Sequence, residues 1–361
     1  MKIAFSAVTV LLSGILAAEF FYLRNFLSRF FAFWNIDCSK KKNKIIKYII
    51  IFVIMGLTLT VFSIVGMATI HILAAVAVLD LISFIVSKTT RKKIKVLNAI
   101  AVSALPGIIL GTSMVLYGIF NMSNIVKTEY DVFTDKELKQ DYRIAMVSDI
   151  HFGNSVDMEK LHKLVDDISN ENPDLLLIVG DITDEGTDKA LYSEIFDTLA
   201  KTKTQFGSYY VFGNHDKVSR EIIEYTGINV LEDEVRVINN DFILAGHKDA
   251  SFKNKNSRMP INELLENQNM SSFILLMDHQ PAQYEENEKA CVDLQVSGHT
   301  HAGQVFPGGL LTATIGGNDF NYGKYSNNSF QAIVSSGASG WGFNFRTEQH
   351  SEFVIINLIE N

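Results

Sequence analysis

Five short segments of the chain carry acid, amide and imidazole side chains at spacings that could hold metal ions. They are Asp149-Ile150-His151, Gly180-Asp181 with Asp184 three residues on, Gly213-Asn214-His215-Asp216, Asp278-His279, and Gly298-His299-Thr300-His301. The donors Asp149, His151, Asp181, Asn214, His279, His299 and His301 are carboxylate, amide and imidazole, with no thiolate among them. Such a set suits borderline or hard divalent ions such as Mn, Fe, Zn or Mg, and it is larger than one tetrahedral site uses. Two metal ions are therefore implied. A carboxylate can bridge two cations, and a pair about 3.5–4 Å apart can stabilise both the attacking and the leaving oxygen of a phosphoryl displacement.

Any one of these segments is a weak signal, because Asp-x-His arises by chance and a lone histidine after a strand is more often structural than a ligand. Their combination is informative because each follows an apolar run. Strands are predicted over Tyr142–Ser148, Leu175–Val179, Tyr209–Phe212, Phe273–Met277 and Val292–Val296, and again over Phe330–Val334 and Phe353–Leu358. Helix-period faces fall between them: Met158, Leu161, Leu164, Val165 and Ile168, then Leu191, Ile195 and Leu199, then a polar helix with Glu285, Glu286 and Glu288. This alternation reads as one α/β domain, in which ligands bind outside the carboxyl ends of strands. In extended chain, residues two apart point the same way, which would pair Asp149 with His151 and His299 with His301. His162, His247 and His350 lie outside the pattern and read as surface or structural residues.

The five segments, in this order and at strand ends, resemble the signature of the calcineurin-like metallophosphoesterases over roughly Arg143 to Leu358. Within that family, Ala302-Gly303-Gln304-Val305 and the apolar N-terminal third look similar to membrane-anchored bacterial members of the YkuE/YkoQ type. The resemblance implies a four-layer α/β sandwich, two mixed β-sheets flanked by helices. It implies one metal held by Asp149, His151, Asp181 and His301, and a second held by Asp181, Asn214, His279 and His299, with Asp181 bridging. His215 would face the leaving group with Asp216 as its orienting carboxylate, and Asp184 would stand behind the ligands. A hydroxide shared by the two cations would then attack phosphorus in line, and His215 would protonate the departing alkoxide.

The first third of the chain has a different composition. Residues 3–18 carry no charge, and 32 residues from Tyr48 to Leu79 lack Asp, Glu, Lys and Arg. As one helix the second run would be about 48 Å long, beyond a bilayer core of about 30 Å, so two helices joined near Gly66 are expected. A further apolar run, Leu97 to Phe120 with Pro106 and Gly107, makes a fourth span. The organisation expected is thus a four-helix transmembrane region over 1–120, a polar connector over 121–140 and the phosphoesterase domain over 141–361. Basic residues cluster at Arg24, Arg29, Lys40, Lys41, Lys42, Lys44 and Lys47 and again at Lys88, Arg91, Lys92, Lys93 and Lys95, which places both loops in the cytoplasm. The catalytic domain then lies on the extracytoplasmic face of a multi-pass cell-membrane protein. A cleaved signal peptide fits less well, since cleavage after Ala18 would put Leu16 where a small residue is needed. Glu19, His71 and Asp80 read as polar groups reaching headgroups or a neighbouring helix, with a proton relay as the alternative.

Charge divides the same way. Residues 1–120 carry 13 Lys and Arg against 3 Asp and Glu, a balance of +10; the remainder carries 19 against 37, a balance of −18, and the whole chain sums to −8. An acidic catalytic part makes nucleic acid an unsuitable partner. An apolar content of 47% excludes disorder, and two cysteines, Cys38 and Cys291, make no disulfide framework. The expected substrate is a phosphoester, phosphodiester or pyrophosphate of a lipid or cell-envelope precursor. Trp341, Phe343 and Phe345 could pack into the core as a strand or dip into the membrane interface, with the core reading preferred. Arg346 is a candidate for a substrate phosphate or for a salt bridge. A catalytically silent membrane sensor or scaffold is the alternative function, and it is disfavoured because no member of the ligand set is missing. Oligomeric state is not legible.

Overall fold

The strand-end segments all fall in the second of two units, Met1–Tyr117 and Gly118–Asn361, in a computed structural model that describes residues 2–61, 63–90, 95–250, 258–315 and 317–361. The first unit is helical: α1 (Lys2–Phe33), α2 (Lys41–Thr58), α3 (Ile64–Thr89), α4 (Lys95–Val102) and α5 (Leu105–Ser123), the last running into the second unit. Two of these, α3 and α5, are long and apolar enough to cross a membrane, with mean hydropathies of 2.3 and 1.5. Among the described residues that is two where four were expected. Helix α2 is only 18 residues long and begins with Lys41, Lys42, Lys44 and Lys47, and the second half of α1 carries Glu19, Arg24 and Arg29.

The break expected at Gly66 falls earlier, between Thr58 and Ile64. Ser63 caps α3, its hydroxyl accepting from the Gly66 amide at 3.0 Å. Gly66 lies in the first turn, where a Cβ would stand 1.9 Å from the Thr60 carbonyl oxygen. The run from Leu97 is likewise two helices, separated at Ala104 with φ 62°, and Pro106 sits in the first turn of α5, where its missing N–H leaves no bond unmade. The polar groups of this unit have neighbours: Arg29 forks onto Asp80 at 2.7 and 2.5 Å, Thr58 donates to Glu19 at 2.9 Å, and His71 Nδ1 lies 2.7 Å from the Met67 carbonyl. Arg91, Lys92 and Lys93 of the second basic loop lie outside the described residues.

Among the described residues, twelve strands build the second unit: β1 (Ile125–Thr134), β2 (Tyr142–Val147), β3 (Leu175–Val179), β4 (Ser208–Val211), β5 (Asn229–Val230), β6 (Glu234–Ile238), β7 (Phe242–Gly246), β8 (Ile274–Met277), β9 (Leu294–Ser297), β10 (Gly323–Asn327), β11 (Phe330–Val334) and β12 (Ser351–Glu360). They form two six-stranded mixed sheets, ordered β1-β12-β2-β3-β4-β5 and β10-β11-β9-β8-β7-β6. In the first, β2, β3, β4 and β5 are parallel and β12 antiparallel to β2; in the second, β7, β8, β9 and β11 are parallel.

Alternation along each strand builds the layers. Ile144 and Met146 of β2 and Leu175, Leu177 and Val179 of β3 meet Leu244, Leu275, Met277 and Val296 of the second sheet. Their neighbours Ala145, Val147, Leu176 and Ile178 face outward onto Leu161, Leu164 and Ile168 of α6 (Met158–Asn170) and Ile195 and Leu199 of α7 (Tyr192–Leu199). Strands covered on both faces read as unbroken apolar runs, which is why these were visible in sequence. The outer face of the second sheet is covered by Ile261, Leu264 and Tyr284 from two short helices.

Half of the polar connector expected over 121–140 is strand. β1 pairs in parallel with β12 from Ile125↔Ser351 to Thr134↔Glu360. As an edge strand it turns Lys127, Glu129 and Asp131 outward and buries only Val132 and Thr134, so its composition imitates a linker. The β6–β7 hairpin was also unforeseen, although Asn239 and Asn240 in its three-residue loop take left-handed φ of 53° and 52°, and Asp241 N closes the turn by donating to Ile238 O at 2.8 Å.

Candidate metal centre

Strands β2, β3 and β4 of one sheet and β8 and β9 of the other end at a common edge, and each delivers its polar segment within a few residues of its last paired position. The chain leaves these strands sharply. Asp149, His151, Asp181, His299 and His301 all take left-handed backbone conformations, with φ of 51°, 41°, 54°, 70° and 50°. The extended i, i+2 pairs expected for Asp149 with His151 and His299 with His301 are therefore not formed. Non-glycine residues in this region cost on the order of 1 kcal/mol or more each and persist where surroundings over-determine them. Here Asp149 N donates to Gly180 O at 3.0 Å, His151 N to Asp181 O at 3.0 Å and Gly298 N to His279 O at 3.0 Å.

The side chains gather into two groups, Asp149 with His151 and His301, and Asp181 with His279 and His299; within each group the ligand atoms lie within 4.8 Å of one another. Asp181 faces both. Its Oδ1 accepts the His215 amide at 2.8 Å, which leaves Oδ2 at 3.2 Å from His279 Nε2 and 3.8 Å from His151 Nε2. Asp149 accepts the His299 amide at 3.1 Å, and its Oδ1 is 3.6 Å from His301 Nε2. Asn214 lies in the same loop as His215, with its side-chain oxygen buried.

Whether a cation suits these residues is decided by their orphaned atoms. Both ring nitrogens of His151, Nε2 of His279 and Oδ1 of Asn214 are buried without a hydrogen-bond partner. Buried polar atoms are otherwise nearly always paired. His279 Nδ1 is 2.8 Å from the Val179 carbonyl and its Nε2 faces Asp181, so in the neutral ring the proton would sit on Nδ1 and Nε2 would be the ligating atom. His301 Nδ1 is similarly 3.3 Å from the Ser339 carbonyl. Carboxylate oxygens and imidazole nitrogens that converge without bonding one another have the arrangement of co-ligands, so the residues fit divalent metal ions.

Burial and mutual charge set the electrostatics. Burial pushes the Asp149 carboxyl up, whereas at Asp181 the opposing pull of His279 and His151 outweighs burial and holds the carboxylate ionised. Burial, reinforced by His279, lowers His299 to about 4; burial and then His151 lower His301. Neutral imidazole is the ligating form.

The glycines of the motifs are explained by closeness. A Cβ on Gly213 would stand 2.2 Å from Asp181 Oδ1, and one on Gly298 would stand 2.2 Å from Asp149 Oδ2. Both positions let one segment's backbone lie against another segment's carboxylate.

Two role expectations are corrected. Asp216 does not orient His215. Its carboxylate turns inward and accepts the amides of Asp181, Ile182, Thr183 and Gly213 at 2.8–3.0 Å, tying the β3 loop to the β4 loop. The group on His215 is Glu185, whose Oε2 is 3.1 Å from Nδ1 and whose Oε1 is 3.6 Å from Lys217 Nζ. Consecutive side chains diverge, so a neighbour in sequence is seldom the partner. Asp184 stands behind the candidate ligand His151, its Oδ2 lying 3.6 Å from His151 Nδ1. Arg346 forms no salt bridge among the described residues: it is fully buried and donates to the carbonyls of His301, Ser336 and Ser339 at 3.1, 2.8 and 2.7 Å, and burial lowers it to about 10.

Residues 341–345 form no strand. Phe345 is buried, while Trp341 is exposed with its ring 5.5 Å from that of His215. Gln304 holds this loop: its Nε2 donates to the carbonyls of Trp341, Phe343 and Phe345 at 3.2–3.3 Å, and its Oε1 accepts the Trp341 amide at 2.9 Å. Neither Gln304 nor Glu185 was assigned a role from sequence, since each acts through a contact far along the chain or between loops. His162 is on the surface bonded to Met158 O, and His350 bonds Glu352 and Thr128. His247 is buried beside Asp278 and Arg258.

Comparison with known proteins gives a consistent picture. The family model of calcineurin-like phosphoesterases matches residues 142–303. An uncharacterised metallophosphoesterase of Campylobacter jejuni is 30% identical over 272 residues, 70% of either chain. A transmembrane protein with metallophosphoesterase domain from Danio rerio is 29% identical over 272 residues, and this chain spans 61% of its length. The uncharacterised metallophosphoesterase YkuE of Bacillus subtilis is 25% identical over 209 residues, covering 54% of this chain and 71% of its own.

Proposed function

The chain belongs to the calcineurin-like metallophosphoesterases and is a metal-dependent phosphoesterase, and from that premise we propose that it is a membrane-anchored dinuclear enzyme acting on a phosphoester, phosphodiester or pyrophosphate of a lipid or envelope precursor. The observation that carries this reading is the pair of His/Asp groups with Asp181 between them. One divalent ion would be held by Asp149, His151, Asp181 and His301, and the other by Asp181, Asn214, His279 and His299. When bound, the pair would supply Lewis acidity toward the phosphoryl oxygens and lower the pKa of water to make a nucleophile.

The chain's own residues do the rest. The His215 amide anchors Asp181 Oδ1, so that the other oxygen stays turned to both groups. Glu185 holds Nδ1 of His215, leaving Nε2 to deliver a proton to the departing oxygen. Arg346 and Gln304 fix the loops on either side of His301 through carbonyl contacts and do not touch the phosphoryl group in this reading.

Membrane attachment is supported by two apolar helices and by relatives described as transmembrane proteins. The positive-inside rule would put the Lys88–Lys95 cluster between α3 and α5 in the cytoplasm; that and the −18 balance after residue 120 favour an extracytoplasmic catalytic domain and a small or lipid substrate over a polyanion. The test is hydrolysis by the purified full-length protein, with Mn supplied, of 4-nitrophenyl phosphate and bis(4-nitrophenyl) phosphate. Turnover of at least one, abolished by chelation and restored by metal, is expected. Bound metal with no turnover of either would instead favour the silent sensor.

A further inference from the structure

A buried guanidinium with no carboxylate on it is an unfavourable arrangement, and at Arg346 the Nε is in addition buried without a hydrogen-bond partner. What its remaining donors hold is therefore informative, because sequences break such rules mainly at functional sites. They converge on one candidate ligand. Nη1 donates to the His301 carbonyl at 3.1 Å, and Nη2 donates to the Ser339 carbonyl at 2.7 Å. That second carbonyl is also the one 3.3 Å from His301 Nδ1, so a single guanidinium grips both the backbone of His301 and the group that faces its ring nitrogen. The Ser339 amide in turn donates to the Asp149 carbonyl at 2.9 Å, and Asp149 Oδ1 lies 3.6 Å from His301 Nε2. The clamp thus reaches two members of one His/Asp group, and its side-chain bonds include none to Asp181, His279 or His299 of the other. His301 needs such holding: it and Ala302 take left-handed backbone, with φ of 50° and 52°, which persists in non-glycine residues only where neighbours over-determine it. Arg346 is itself tied down from behind, its amide donating to Gly118 O at 3.0 Å and its carbonyl accepting from Asn121 Nδ2 at 3.3 Å.

We propose that Arg346 is the positioning residue of His301 and thereby sets how tightly a divalent ion is held at Asp149, His151 and His301, while the ion at Asp181, His279 and His299 depends on other supports. This rests on the dinuclear phosphoesterase reading above and makes the two metal positions unequal. The fork, not the charge, is what acts. A planar guanidinium can hold two carbonyls at once, which the point charge of a lysine on its flexible stem does not reproduce. A further positive charge by itself would oppose a cation.

Mn binding to the full-length protein is followed by calorimetry and by electron paramagnetic resonance. The parent is expected to take up two equivalents and to give the broad spectrum of an exchange-coupled pair. In Arg346→Lys one equivalent binds about 10- to 100-fold more weakly, the range for removing a partner that holds a metal ligand, and protein loaded with the other shows the six-line signal of isolated Mn. Arg346→Met, which keeps the bulk without the charge, is expected to behave alike, and either variant is read alone if the other does not fold. The deciding measurement repeats the substitution in a His301→Ala background. A residue that acts through His301 then has nothing left to position, and the affinity of the remaining Mn is unchanged. Both equivalents weakened together, both retained at parental affinity, or the remaining Mn weakened again in the His301→Ala background would overturn the assignment. The aryl phosphate assay is run on the same samples: two bound Mn in the parent without turnover defeats the phosphoesterase reading and leaves the clamp standing, whereas turnover with both affinities untouched in the Arg346 variants defeats the clamp alone.

Discussion

Asp181 and His215 are neighbours in space with different duties. The Asp181 carboxylate faces three imidazoles and receives the His215 amide on its other oxygen, while the His215 ring turns away toward Glu185 and Trp341. Asp181→Ala is therefore expected to lose bound metal from both groups, and His215→Ala to keep metal while turnover falls about 10²- to 10⁴-fold. Metal analysis of the purified variants beside their rates checks this; a metal-free His215→Ala protein would sink the division of roles. At this scale residue identity was legible and partnership was not. Asp216 was paired with His215 by adjacency, yet it serves four backbone amides across two loops, and the exposed Glu185 reaches His215 from the β3 loop.

Strands and loops place those residues, and one buried acid shows how the sheets are held beside the site. Glu352 on β12 accepts from Ser335 Oγ at 3.1 Å and the Ser336 amide at 2.9 Å at the end of β11, and also from Thr128 on β1, so it ties one sheet to the other. Burial pushes its carboxyl up, but hydrogen bonds from His350, Thr128 and the Ser336 amide outweigh burial and leave it below the ordinary value. A carboxyl depressed in the folded state stabilises fully above its unfolded pKa of about 4.3, and that contribution fades as pH falls through the folded value. Glu352→Gln is accordingly expected to cost about 1–3 kcal/mol at pH 7, with the gap to the parent narrowing below about pH 4. Thermal unfolding of both proteins across that range measures it, and a gap that widens on acidification would refute the assignment. The strands buried on both faces were visible as apolar runs. The edge strand β1 was not, because it places exposed charges at Lys127, Glu129 and Asp131 and only pairing with β12 makes it a strand.

The whole chain joins a basic, helical first unit to an acidic catalytic one, and its topology is open to a direct experiment. Reporter fusions at Lys92 and Asn361 are expected to read cytoplasmic and extracytoplasmic respectively; a cytoplasmic Asn361 would reverse the proposed orientation and widen the substrate class to cytosolic phosphoesters. The sequence by itself determined the chemistry class, because metal-ligand types are few and each segment sits behind an apolar run that can only be a buried strand. It also determined the two-part charge division, which needs no structure to be read. Tertiary structure decided the rest: that segments from two different sheets meet at one edge, that Asp181 lies between two groups, that five of the candidate ligands sit in left-handed backbone, and that Arg346 and Gln304 bond backbone carbonyls. The physical reason is that these are contacts between segments tens to hundreds of residues apart. Composition and periodicity report which face of an element is buried, whereas the partner of a polar atom depends on which loop folds over it.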